Sequence, residues 1–365
     1  MLLNVESRNT EVALLFLVRG EMYHEDVWTE WIGSLADLVP PSILCDDALN
    51  KCYRTLPQYS IPPKSVYDRQ TYYSIFVHTK PDFPGYSSGS IFDARIVDER
   101  VETAWGSHSL LTATRVLMRA ALADLFNQRF QMVCEATIPV RAPLFTHDQL
   151  LAHNMSRIGS PHMVWGDAEK SAERWPLAMH EEFPALKLHN TFHSQWVTLI
   201  RAHVHIVVDD TFLEDLYQRH CFIGAERHRS TCVSDEQYIG TLLNWKLGDR
   251  APYEYSDDLA MARVAAGGGV PPEHIDTELI VQIRGAAEEI HRVPSFKNLH
   301  GQPRIQHSDF ELGKESLECA RNPQLQDPPP YGGIPQYPHC PFFARKFMAA
   351  TAPAVKKLLQ DLFIV

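Results

Sequence analysis

Residues 12–18 read Val-Ala-Leu-Leu-Phe-Leu-Val, seven apolar positions without a polar interruption, and stop at Arg19-Gly20. A continuous run of that length, closed by a turn signal, predicts a strand buried on both faces. Residues 72–77, interrupted only by Ser74, predict a second strand, ending at His78-Thr79-Lys80-Pro81, and residues 130–138 read as another buried strand. Between them the apolar spacing turns helical, over 27–38 and again over 107–126. Strand, helix, strand, helix, strand in that order predicts an α/β chain with a mostly parallel twisted sheet flanked by helices. Ligands of such sheets gather at the carboxyl ends of the strands. Here those ends carry Arg19-Gly20, His78-Thr79-Lys80 and Glu135-Ala136-Thr137.

The second half is patterned differently. Residues 141–190 are polar, rich in His and Pro and weakly periodic, which predicts loops with short helices. A strand is expected over 194–200, a helix over 202–208, and another over 235–245 with Ile239, Leu242 and Leu243 as its apolar stripe. Residues 265–272 form a Gly/Pro loop and 278–290 a helix. Residues 322–341 are too Pro-rich for a helix or a central strand. An amphipathic helix over 354–364, with Pro353 suited to its first turn, closes the pattern. No linker separates two self-sufficient cores, so a single domain over 11–362 is expected, preceded by a short segment of residues 1–10.

The chain has 365 residues, 34 basic against 45 acidic, for a net charge of -11, and no run of Lys or Arg. That balance argues against a nucleic-acid surface but leaves room for a small anionic ligand in a local cationic pocket. The apolar run at 12–18 is far shorter than the roughly 20 residues that span a bilayer. Residues 1–10 lack the features of a signal peptide. The chain therefore reads as soluble, with a membrane anchor absent. Seven cysteines leave at least one unpaired. Their positions suggest two local disulfides: Cys221 with Cys232 around the basic loop 225–231, and Cys319 with Cys340 around the Pro-rich segment. Free thiols are the alternative. Asn154-Met155-Ser156 is an N-glycosylation sequon.

Two constellations carry chemistry. Ser234-Asp235-Glu236 can be a helix start, with Ser234 as N-cap and two acids in the first turn. Alternatively Glu236 is a general base: an unperturbed Glu titrates near ~4.3 and can accept a proton at neutral pH. Phe342-Phe343-Ala344-Arg345-Lys346-Phe347 can be an edge strand with exposed cations. Alternatively Lys346 neutralises a leaving diphosphate. Arg345 points to the opposite face of such a strand and ranks below it. Val207-Val208-Asp209-Asp210 and Asp257-Asp258 lack the context of a metal-holding D-x-D. His203-Val204-His205 has spacing better suited to a strand, with no partner motif, so no metal site is assigned. Motifs of P-loop, Rossmann and α/β-hydrolase proteins are missing from the sequence.

The order of these motifs resembles the core-2/I-branching N-acetylglucosaminyltransferase family (glycosyltransferase family 14), in its plant and algal branch. The resemblance runs from about Val12 to Leu359. It implies a GT-A-like single domain and an inverting, metal-independent glycosyltransferase that takes a sugar (GlcNAc, or a relative such as GlcA) from a UDP-sugar. The acceptor it implies is a hydroxyl of a glycan or glycoprotein. Glu236 matches the family's catalytic carboxylate and Lys346 the Lys of its F-A-x-K-F pattern, with Arg321 or Arg304 as a second cation. By the same resemblance Val18, Arg19, His78, Trp105, Asp235 and Arg345 line the nucleotide-sugar side. Arg174, Trp175 and Trp196 meet the acceptor; core packing is the alternative for Trp105 and Trp196. No cofactor is expected, and no nucleic-acid partner. The family's compartment is the Golgi lumen, with a membrane contact only through an anchor this chain does not show. A catalytically silent carbohydrate-binding relative of the same fold is the competing expectation.

Overall fold

A computed structural model describes residues 10–34, 45–46, 51–52, 72–152, 154–159, 174–221, 232–256, 260–263, 269–277, 279–280, 283 and 341–360. The apolar run near the start becomes β1 (Glu11–Leu17), every residue of which is buried. A short hairpin, β2 (Cys45–Asp46) with β3 (Lys51–Cys52), comes next, followed by β4 (Tyr73–His78) and β5 (Asn127–Val133). β6 (Ile138–Pro139), β7 (Ser156–Arg157) and β8 (Thr198–Ile200) come next, then β9 (Tyr255–Ser256), β10 (Met261–Arg263) and β11 (Phe343–Arg345). The α-helices are α1 (Glu25–Gly33), α2 (Ser109–Leu122), α3 (Pro143–Leu151), α4 (Leu177–Glu182) and α5 (Arg201–Asp209). They continue with α6 (Phe212–His220), α7 (Tyr238–Leu247), α8 (Ala251–Glu254) and α9 (Ala352–Gln360).

The main sheet runs β4-β1-β5-β8-β7-β9. β1 pairs in parallel with both β4 and β5, β8 runs antiparallel to β5 and β7, and β9 is parallel to β7. The sheet is mostly parallel and flanked by helices, a GT-A-like arrangement. With parallel partners on both sides and helices over its faces, β1 has no solvated side, which is why its sequence does not alternate. Helices α2 and α5 pack on each other and on this sheet. Two polar groups buried among the strands pair with each other: the Ser74 hydroxyl donates to the Asn127 side chain at 2.6 Å, and Asn127 donates to the Ala121 carbonyl at 2.9 Å.

A second sheet, β10-β11-β6, brings the C-terminal segment against the carboxyl edge of the first. β11 pairs in parallel with β10 and antiparallel with β6. Phe343 stacks on Trp28 of α1, and Trp28 in turn meets Phe16 of β1 edge-on. These aromatic contacts fix residues 343–347 relative to the end of β1.

Four expectations need correction. The strand expected over 130–138 begins at Asn127 and ends at Val133, because Cys134–Thr137 turns the chain into the second sheet. That turn is closed by the Cys134 N–H donating to Thr137 Oγ1 at 3.1 Å and the Thr137 N–H donating to the Cys134 carbonyl at 3.0 Å. The strand over 194–200 shortens to Thr198–Ile200. The helix over 235–245 splits: Ser234–Glu236 is a 3-10 turn and the α-helix starts at Tyr238. His203 and His205 lie on α5, the helix expected over 202–208. The helix expected over 354–364 begins at Ala352. Most of the helix expected over 278–290 lies outside the described residues, as do Arg304, Arg321, Cys319 and Cys340.

Candidate active site

The carboxyl ends of β1, β4 and β5 lie side by side and carry the residues expected there. The Val18 N–H donates to the His78 carbonyl at 3.0 Å, which holds the first two ends together. His78 is buried, accepts the Val101 N–H on Nε2 at 2.9 Å, and is held to a pKa of about 4 by that burial. It therefore stays neutral at physiological pH and fixes the 97–108 loop above β4.

Past the end of β5, Glu135 meets Arg19 from the end of β1, with Nε 4.0 Å from Oε1. Lys346 is brought to the same place by three main-chain contacts. The Val270 N–H donates to the Lys346 carbonyl at 2.9 Å, and the Phe347 N–H donates to the Ala136 carbonyl at 2.9 Å. Buried His24 bonds the Phe347 carbonyl through Nε2 at 2.9 Å. Gly269 makes the first contact possible. Its φ is +91°, and a Cβ there would lie 2.8 Å from the Lys346 carbonyl oxygen. Burial lowers the Lys346 pKa, and the neighbouring charge of Arg345 adds to the effect. Burial raises that of Glu135, while a backbone hydrogen bond and the charges of Arg19, Arg345 and Lys346 pull the other way.

Arg345 closes β11 and Lys346 is the next residue. The Arg345 guanidinium lies 4.3 Å from the centroid of Trp196. Trp196 is buried, so the packing reading holds for its ring, with the Arg345 cation over it. Trp105 is the reverse. It is 82% exposed, and the expectation that it packs in the core is overturned.

The acid pair lies one segment further on. The His193 N–H donates to the Glu236 carbonyl at 2.7 Å, and Trp196 is three residues past His193. One short stretch of chain thus touches the turn bearing Glu236 and the cation-bearing strand. The Glu236 carboxylate is 34% exposed and 3.9 Å from Arg174, whose guanidinium sits over Phe192 at 4.6 Å. Asp235 is buried instead, and burial together with the Glu236 charge raises its pKa to about 7. Trp175 is buried edge-on to Tyr217. The disulfide expected between Cys221 and Cys232 is present and ends two residues before Ser234. Of the sequon, Asn154 is exposed, whereas Ser156 is buried and shares a hydrogen with His203 Nδ1 at 2.7 Å.

The tempting acidic pair is structural. Asp210 accepts the Glu214 N–H at 2.9 Å and the Tyr238 hydroxyl at 2.8 Å, joining three helices. Among the described residues no cluster of three or more His, Cys, Asp or Glu side chains is placed to hold a metal ion. Among them, too, no helix is long and apolar enough to cross a membrane. Sequence reasoning named Glu135 as a strand end without giving it a role. It missed His24, Phe192 and Gly269, and it saw His193 only as part of the block His193-Ser194-Gln195-Trp196 that resembles the family, because their importance lies in contacts across long stretches of chain.

A mostly parallel GT-A-like sheet, with cations at its carboxyl edge and a carboxylate one segment away, is the layout of a sugar transferase. Comparison with known families agrees: the model of the Core-2/I-Branching enzyme family matches residues 52–252, more than half of the 365. The chain belongs to the Core-2/I-Branching enzyme family, whose members are glycosyltransferases. It is also 30% identical, over 194 residues, to Glycosyltransferase BC10 of Oryza sativa subsp. japonica, in agreement with the plant-type branch. That match covers 48% of this chain and 47% of the rice protein, so the chain matches about half the length of this curated relative. Glu236, Arg174 and Trp196 fall inside the stretch matched by the family, and Arg345 and Lys346 beyond it.

Proposed function

We propose that this protein is an inverting glycosyltransferase that moves a sugar from a UDP-sugar to a hydroxyl of a glycan or glycoprotein without a metal ion. The observation that carries the reading is the bridge from the turn of Glu236, through His193 to Trp196, to Arg345 and Lys346. It ties the turn that bears Glu236 to the strand that bears Arg345, next to Lys346. In the proposed step Glu236 takes the proton of the acceptor hydroxyl as its oxygen attacks the anomeric carbon. The bond from that carbon to the diphosphate oxygen breaks, and UDP leaves with the electron pair. Lys346 and Arg19 offset the charge that grows on the diphosphate, a role a divalent cation has in related chemistry. Arg174 holds Glu236 and meets the acceptor, with Trp175 and Trp196 behind it. Val18, His78, Trp105 and Asp235 line the donor side. The compartment implied is the Golgi lumen, where a disulfide such as Cys221–Cys232 persists.

The test is calorimetric titration of UDP in EDTA and then in manganese, on wild type, Lys346→Ala and Glu236→Gln, with transfer assayed in parallel. Binding in EDTA that is lost in Lys346→Ala, and transfer that is lost in Glu236→Gln with UDP affinity kept, are expected. Turnover retained by Glu236→Gln removes the base assignment, and strict manganese dependence removes the metal-free step.

A further inference from the structure

Glu135 is a carboxylate in a place where a diphosphate-binding edge should repel one. It follows the central strand β5, at the carboxyl edge of the sheet, and its side chain is only 13% exposed. The groups that act on it come from every neighbouring segment. Arg19 stands at 4.0 Å from the end of β1, and Arg345 and Lys346 from the end of β11. Tyr23 and Tyr86, from the loops after β1 and β4, feel its charge in turn, and Cys134 precedes it. The Phe347 N–H on the Ala136 carbonyl fixes the register that sets Lys346 beside it. One part-buried carboxylate therefore shares the cations that a diphosphate would use.

We propose that Glu135 is the resident counter-ion of the diphosphate clamp: it holds Arg19 and Lys346 in place until a nucleoside diphosphate takes them over, and it gains a proton as that happens. This deepens the reading of Lys346 given above and rests on it. The physical reason is competition. A second anion brought to the same cations in a part-buried site must either displace the first or neutralise it, and protonation removes the repulsion at least cost. Burial already favours the neutral carboxyl, and losing its cations to the ligand favours it further.

The probe is UDP, titrated into wild type, Glu135→Gln and Glu135→Asp from pH 5.5 to 8, in buffers of different ionisation enthalpy. UDP's own terminal phosphate titrates in this range but acts equally on all three proteins. At pH 8 Glu135→Gln is expected to bind about tenfold tighter than wild type, the size of one nearby charge. The gap should close toward pH 5.5, with more proton uptake for wild type and Glu135→Asp than for Glu135→Gln, whose exchange comes from UDP alone. Equal or weaker binding by Glu135→Gln at pH 8, with an unchanged thermal melt, overturns the proposal while leaving the clamp intact. No UDP binding by wild type at any pH removes the clamp itself, and this inference with it.

Discussion

The guanidinium of Arg345 lies over the ring of Trp196, 4.3 Å from its centroid, and so ties the strand carrying the cations to the segment that reaches Glu236. Such a contact is worth about 0.5–2 kcal/mol depending on how far water is excluded, and Trp196 is buried. Trp196→Phe keeps an aromatic ring with a weaker face. It should cost about 1–2 kcal/mol in urea denaturation and lower transfer more than it lowers UDP affinity, since Lys346 is held by other contacts. Equal loss in both would mean that the stack positions Lys346 instead.

Asp235 supplies a pH signature. Its pKa is raised from 3.8 to about 7, by burial first and the Glu236 charge second. The folded protein therefore binds more protons than the unfolded chain between those values, so stability falls as pH rises from about 4 to 7 and levels off above. Asp235→Asn cannot ionise. It should be more stable than wild type at pH 8 and equal to it near pH 4, a difference on the order of 4 kcal/mol read from melts across that range. A difference independent of pH would show that Asp235 is ionised throughout.

The strands β1 and β4 and the helix α2 were legible in the sequence because burial on both faces, or on one helical face, writes itself into apolar spacing. The turn after Val133 was not. Cys134, Ala136 and Ile138 continue the apolar pattern of β5 although the chain has changed sheets. Nor was the 3-10 turn at Glu236. The break comes from Gln237, at φ -134°, whose side chain accepts the Val233 N–H at 3.0 Å, and no local propensity announces it. Glu236 and Lys346 were found through motifs. The segments that position them, at His24, His193 and Gly269, act across about 40 to 320 residues of chain, a distance that one sequence leaves unmarked.

Gly269 allows a test of whether positioning Lys346 matters. At φ +91° a side chain is strained, and its Cβ would also meet Met348 Cγ at 2.6 Å. Gly269→Ala should cost about 1–3 kcal/mol of stability and raise the UDP dissociation constant by roughly tenfold, because the 346–348 segment must shift away. Titration of UDP well below the melting temperature separates the two effects. Unchanged affinity would place the diphosphate contacts elsewhere.

The Cys221–Cys232 bridge closes a loop with a sequence separation of 11, immediately ahead of the turn that presents Glu236. Loop-closure entropy gives such a bridge about 2–3 kcal/mol. Ser234 also donates to the Cys221 carbonyl at 3.4 Å across the same junction. A double Cys→Ser variant, or treatment with dithiothreitol, should lower thermal stability by that amount and reduce turnover while UDP affinity stays within a factor of two of wild type. Loss of UDP binding with intact folding would couple the loop to the nucleotide instead.

Trp105 is large, apolar and 82% exposed, on a loop that is otherwise tightly held. Val101 is bonded to His78, Glu102 pairs with Lys80 at 3.2 Å, and the Ala104 N–H donates to Ser109 Oγ at 3.1 Å. A rigid loop that presents a bare indole beside the end of β4 suits a stacking surface for a flat or sugar-like ligand face. Trp105→Ala removes no core contact, so its melting curve should match wild type within about 0.5 kcal/mol. If the ring stacks on the uracil base, affinity for UDP should fall by an amount worth about 1–3 kcal/mol, while inorganic pyrophosphate, which has no base, binds as before. Equal losses for UDP and pyrophosphate would mean that the loop acts on the diphosphate. No loss for either, with lowered transfer, would move Trp105 to the acceptor side of the cleft.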